Sequence, residues 1–109
     1  MMHIYRGTVR GRFDEQADAV REALVASADE HDGLKAAFVH DGTFTYDEQL
    51  TFFTFRYELR ASGDDAEECE LDAREQAESD ARAYLQHFGI AHRDLKVSVW
   101  DMATVWHDE

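Results

Sequence analysis

Residues 50–61 place Phe53, Phe55, Tyr57 and Leu59 on one side of an extended chain and Thr54, Arg56, Glu58 and Arg60 on the other. A β-strand separates the two sets, because its side chains alternate with a period of two. The aromatic content marks this strand as a central one. Any fold of this chain must therefore contain a sheet with one thoroughly apolar face, and something must cover that face.

The flanking segments supply the cover. Residues 4–13 alternate in the same way, with Tyr5, Val9 and Phe13 opposite Arg6, Thr8, Arg10 and Arg12, which gives a first strand. Asp14 stands where an N-cap belongs. Ala17, Val20, Leu24, Ala28 and His31 then recur at helical spacing until Asp32-Gly33. Residues 34–46 are rich in strand formers but are interrupted by Asp41-Gly42, either a hairpin turn or a bulge within one longer strand. The bulge is the favoured reading, with the reversal at Asp47-Glu48-Gln49. After Ser62-Gly63, Asp64 and Glu67 resemble a capping box that opens a second helix. Its stripe is Ala66, Cys69, Ala73, Ala77, Ala81, Tyr84 and Phe88, ended by Gly89. In residues 94–106, Leu95, Val97, Val99, Ala103 and Val105 oppose Lys96, Ser98, Trp100, Met102 and Trp106, as in a last strand.

The order βαββαβ, without linker or repeat, predicts one α+β domain over residues 1–109. The expected arrangement is the ferredoxin-like split βαβ sandwich: a four-stranded antiparallel sheet, first and third strands central, both helices on one face. Such a chain has nothing of its own left to cover the second sheet face.

Composition narrows the classes of function. Twenty-four acids against 11 bases give a formal charge of -13, which opposes binding to nucleic acid and to anionic membranes. No run approaches the roughly 18 apolar residues of a membrane span, and the first residues lack the layout of a signal peptide. A cytoplasmic protein is expected, with which the single cysteine, Cys69, is compatible.

The charge is segregated. Arg6, Arg10, Arg12, Arg56 and Arg60, five of the nine arginines, have the parity of the uncovered face; Lys96 joins them, and Glu58 alone clearly opposes them. Nine acids lie between Asp64 and Asp80, with Arg74 the one base among them. Trp100, Met102 and Trp106 share the cationic face, and contiguous exposed apolar surface beside arginine is the composition of a contact site. The bland alternative is an ordinary wet sheet surface whose ion pairs contribute little. The partners that fit are a second copy of the chain, packed sheet to sheet, or a small anionic or aromatic ligand.

Candidate chemistry elsewhere is weak. His87, His92 and Asp94 match no metal-binding spacing, so no metal and no cofactor is expected. His31 and His40 have only sequence-adjacent carboxylates to orient them, and Cys69 falls in the apolar stripe of an acidic helix. Gly7 and Gly11 make room for a close neighbour, whether a ligand or a helix packed above. The phrase Val9-Arg10-Gly11-Arg12-Phe13 is similar to the phosphate-binding turn of acylphosphatases, but the chain has no asparagine to position a water as that family does.

Several phrases together carry a wider resemblance: residues 9–14, Thr45-Tyr46-Asp47, Phe52-Phe53-Thr54-Phe55-Arg56-Tyr57-Glu58-Leu59, and Asp94-Leu95-Lys96-Val97 through Asp101-Met102 and Trp106. Over nearly its whole length the chain resembles a family of short actinobacterial proteins of unknown function. The resemblance implies a source consistent with nine arginines against two lysines, and it implies no activity and no catalytic residue. Two functions are expected: a homodimeric binding or accessory protein using the open face, or a small-molecule enzyme with its pocket on that face, which by analogy of fold would be of the dimeric α/β-barrel kind, a cyclase or cofactor-independent oxygenase of a natural-product pathway. Whether the chain is an enzyme stays open.

Overall fold

The computed structural model describes residues 2–32 and 37–102. Within them the elements run β1 (Met2–Phe13), α1 (Asp18–Ala26), a 3-10 turn (Ala28–His31), β2 (Thr43–Tyr46), β3 (Phe52–Ser62), α2 (Ala66–His87) and β4 (His92–Asp101). The four strands form one antiparallel sheet in the order β2-β3-β1-β4. This is the ferredoxin-like arrangement, with β1 and β3 in the middle.

One sheet face and the helices enclose the core. Tyr5, Val9 and Phe13 of β1, Phe53, Phe55, Tyr57 and Leu59 of β3, and Phe44 and Tyr46 of β2 are buried together. Against these bulky side chains α2 sets Cys69, Ala73, Ala77, Ala81 and Leu85. They recur every four residues, a ridge of mostly small side chains along one helix face. Small residues on the helix let its backbone approach the large ones on the sheet, and the aromatic rings pack among themselves. Phe13 meets Phe53 edge-on at 5.1 Å, and Phe44 stacks on Phe55 at 4.7 Å. Each such pair adds roughly 0.5–1.5 kcal/mol beyond burial alone.

The ends of the elements differ from sequence expectation in instructive ways. Asp14 does not cap α1, which begins four residues later behind Ala17 with no side-chain cap. Residues 14–17 are instead clipped to the chain before β4. The Asp14 amide donates to Ala91 O, Gln16 Nε2 donates to that same oxygen, and Gln16 Oε1 accepts from Ala91 N. This contact across 75 residues outcompetes the local capping preference. For α2 the cap is Asp65, one residue past the expected Asp64. Its carboxylate accepts from Glu67 N at 2.9 Å and Glu68 N at 3.4 Å. The other end follows expectation: Gly89, at φ 64°, closes a Schellman motif in which Gly89 N donates to Gln86 O and Ile90 N to Leu85 O.

Asp41-Gly42 is a turn and not a bulge inside a longer strand. Gly42 has φ 82° and donates to Val39 O, and β2 starts only at Thr43. The sheet thus has a short edge strand on this side. The reversal after β2 falls where expected. There Asp47 holds Leu50 N with its carbonyl and Thr51 N and Phe52 N with its carboxylate. Burial works to raise the Asp47 carboxyl, but the amides of Phe52 and Thr51 outweigh it and hold the group below its usual range.

Candidate functional site

Strand register lays out the face turned away from the helices, row by row. Arg12 lies between Phe52 and Arg93, Arg10 between Thr54 and Lys96, Thr8 between Arg56 and Ser98, Arg6 between Glu58 and Trp100, and Ile4 beside Arg60. Side chains paired across antiparallel strands sit about 4.5–5.5 Å apart at Cβ. The rows therefore bring Arg10, Arg12 and Lys96 together, with Arg93 flanking them. Trp100 and Ile4 lie at the opposite end.

The two ends differ in more than composition. At the apolar end the side chain of Phe38, just ahead of β2, covers part of the face, contrary to the expectation that nothing is left to cover it. Val39 bridges to Tyr57, and its neighbour Phe38 packs edge-on against Trp100 at 5.6 Å, with the Arg6 guanidinium 5.0 Å from the Phe38 ring. Trp100 is left 36% exposed, and Met102 is buried instead of lying open beside it. Trp106 lies outside the described residues. In the middle, Arg56 runs along the sheet and donates from Nη1 to Thr45 Oγ1 at 2.9 Å, and Thr45 and Thr8 are buried. Arg60 pairs with Glu58 at 3.3 Å in an exposed contact that contributes little to stability.

The other end holds a cavity of ≈ 720 Å³, lined by Arg10, Gly11, Arg12, Phe52, Phe53, Thr54, Asp94, Leu95 and Lys96. A β-bulge shapes it. Between the Arg10–Lys96 and Arg12–Arg93 pairs β1 advances two residues and β4 three, and the extra residue is accommodated where Asp94 takes φ 58°. Asp tolerates that left-handed conformation better than most residues, and bulges of this kind re-aim side chains at the rim of a sheet. Gly11 faces the core beneath. A Cβ there would overlap Phe53 Cζ and lie 2.8 Å from Leu95 Cδ2, so glycine makes room for neighbouring strands, not for a helix. Phe52 is 56% exposed with the Arg12 guanidinium 5.3 Å from its ring.

Charge in the cavity is net positive, with Arg10, Arg12 and Lys96 against Asp94. Among the described residues none of Arg10, Arg12 and Lys96 makes an ion pair. A separate group of acids lies away from the cavity: α2 carries seven at exposed positions, where Arg82 and Arg74 answer Glu78 and Glu70. A guanidinium presents a planar fork of donors that matches a carboxylate or phosphate, and an exposed phenyl ring beside it offers a flat apolar surface. The arrangement can hold a small planar anion.

Sequence reasoning passed over three contributors. Phe52 shares parity with Thr54 and Arg56 and was legible in the same alternation. The bulge at Asp94 and the Phe38 contact have no local signature. The other candidates are structural. His31 Nδ1 donates to Phe44 O, 2.7 Å away, and its ring stacks on Tyr46; Cys69 is buried; His92 Nδ1 donates to Ile90 O. Among the described residues no group of three or more His, Cys, Asp or Glu is placed to hold a metal ion, and no helix is long and apolar enough to cross a membrane.

Compared with known proteins, residues 1–108 match the model of a family of unknown function (DUF6204). No curated protein and no solved structure matches the chain.

Proposed function

The chain belongs to that family of unknown function, and from this premise we propose that it is a homodimeric binding protein that takes up a small aromatic anion at the bulged end of its open sheet face. The observation that carries this reading is the cavity at Asp94, where three cations that form no ion pair among the described residues outnumber the one carboxylate beside an exposed phenyl ring. Arg10 and Lys96 hold the anionic group, and Arg12 and Phe52 lie along the ring. Two copies meet at the other end of the face, through Trp100, Phe38 and Ile4, because pairing whole faces would set one cationic patch against another. The single buried cysteine and the arginine-rich, lysine-poor composition favour a cytoplasmic protein of actinobacterial source.

The concavity itself favours a second reading, an enzyme of the dimeric α/β-barrel kind in which Arg10 or Arg56 holds a substrate carboxylate or enolate. The cavity lining argues against it: among the described residues only Asp94 and Lys96 are suited to proton transfer there, and no histidine, cysteine or serine lines it.

Calorimetric titration with 4-hydroxybenzoate and with cyclohexanecarboxylate tests the binding site. Saturable binding is expected for both, tighter for the aromatic acid and weakened by salt. Replacing Arg10 or Lys96 by alanine should lower affinity roughly tenfold, the scale of one charge-assisted hydrogen bond. Affinity unchanged by Arg10→Ala would overturn the reading. Light scattering after size exclusion tests the pairing: a salt-resistant dimer that Trp100→Glu converts to monomer is expected, and a wild-type monomer would sink it.

A further inference from the structure

A second cavity, of ≈ 600 Å³, opens on the other side of the sheet, between the Asp41-Gly42 turn and the C-terminal half of α2. It exists because β2 is only four residues long and α1 only nine, so the helical layer leaves the β2 edge of the core partly uncovered. Its walls are aromatic. Phe44, Phe55 and Tyr57 form a row with ring centroids 4.7 and 6.1 Å apart, Tyr84 stands edge-on to Phe55 at 5.3 Å, and Phe88 lies 4.7 Å beyond Tyr84, 54% exposed.

The polar groups here are of the opposite kind from those at the bulge. Asp80 and Asp41 line the cavity, and among the described residues no lysine or arginine does. Tyr57 is 4% exposed, and neither its hydroxyl nor that of Tyr84 has a hydrogen-bond partner among the described residues. Since no fully buried polar side-chain atom is left without a partner, the Tyr57 hydroxyl must reach the cavity. Burial, followed by the Asp80 charge and then Tyr84, pushes the Tyr57 phenol above its usual range, which keeps the ring neutral.

Electron-rich rings and two carboxylates, with no lysine or arginine among the described residues, form a site for positive charge on an apolar body. The geometry points to this cavity as a binding site for a small organic ammonium ion, with Tyr57, Tyr84 and Phe88 facing the cation and Asp80 neutralising it. The ring quadrupole attracts an ammonium group, more strongly as water is excluded. Two further features favour the charge sign: α2 brings its excess of acids to this side of the molecule, and the cavity lies toward the negative end of the helix dipole. The site is independent of the bulged end of the open face, so either can fail alone.

The test is titration of the full chain with choline and benzyltrimethylammonium, each compared with an uncharged isostere; for choline this is 3,3-dimethylbutan-1-ol. It is run at one fixed pH and low salt, with His40 and His87 also lining the cavity. Both ammonium ions should bind saturably and raise the melting temperature, with the isostere roughly tenfold weaker. Asp80→Asn, at an exposed helix position, should weaken ammonium binding and leave the isostere unaffected. Tyr84→Leu should weaken it and Tyr84→Phe should not, each variant being checked first for an intact melting transition. Equal binding of ion and isostere would reduce the cavity to an apolar gap and overturn the proposal. So would the absence of saturable binding by either ion.

Discussion

Replacing Gly42 by alanine tests the turn before β2, which positions one wall of the ammonium cavity and decides where the edge strand begins. Two costs add at this position. Gly42 sits at φ 82°, where an L side chain pushes its Cβ toward the following carbonyl, at roughly 1–2 kcal/mol. The new methyl would also overlap Tyr57 Cε1 and lie 2.5 Å from Cδ1, against the 3.5–4.0 Å at which carbons attract. Tyr57 is packed between β3 neighbours and cannot swing aside freely, so an overpacking cost of about 1–3 kcal/mol applies as well. The sum is about 2–5 kcal/mol, read as a lower urea midpoint at unchanged slope. Gly42→Asn separates the terms. Asn tolerates the left-handed conformation but keeps the Cβ, so it should recover about 1 kcal/mol and leave the steric part. Gly63→Ala is the control, since its Cβ would meet only Cys69 Sγ at 3.3 Å. A Gly42→Ala midpoint within about 0.5 kcal/mol of wild type, the range of an ordinary surface change, would refute a turn seated on Tyr57.

Two more outcomes follow from the caps. Asp65→Ala should cost about 1 kcal/mol by thermal or urea melting, with Asp64→Ala near neutral, because Asp65 alone accepts the first amides of α2; the reverse order would restore the cap read from the sequence. Asp47→Ala should cost about 1 kcal/mol at neutral pH. The Asp47 carboxyl lies below its unfolded value, so its contribution is fully present above the ordinary carboxylate range and fades as pH falls through the folded value. The stability gap between wild type and variant should therefore close in acid, and a gap independent of pH would show that the carboxylate charge is not what holds Thr51 and Phe52.

Much of this molecule could be read from alternation alone. Phe53 to Arg60 fixed a strand with one apolar and one charged face, residues 4–13 repeated the pattern, and the every-fourth-residue stripe from Cys69 to Ala81 identified the helix face that meets them. Such patterns are local: a residue's face follows from its neighbours in the chain through the pleat and the helical turn. The Schellman end at Gly89 is local too, and it was legible for the same reason. At α1, Asp14 has the chemistry of a cap, but Gln16 and Ala91 draw that stretch into an extended clip, a contact no local rule contains.

Sequence by itself determined which side chains share a face, the order of strands and helices, and the separation of arginines from acids. What only the tertiary structure decided is how each face is divided. The bulge at Asp94 arises from a count mismatch between β1 and β4, two strands some 80 residues apart in sequence, and neither strand carries a sign of it alone. Phe38 lies by Arg6 and Trp100 because the chain ahead of β2 docks at Val39 against Tyr57 of β3. Those two non-local events turn one cationic face into a covered apolar end and an open charged cavity. The short β2 likewise leaves the aromatic edge of the core facing the acids of α2. Periodicity specifies orientation, but proximity between distant segments is set only when the chain closes on itself.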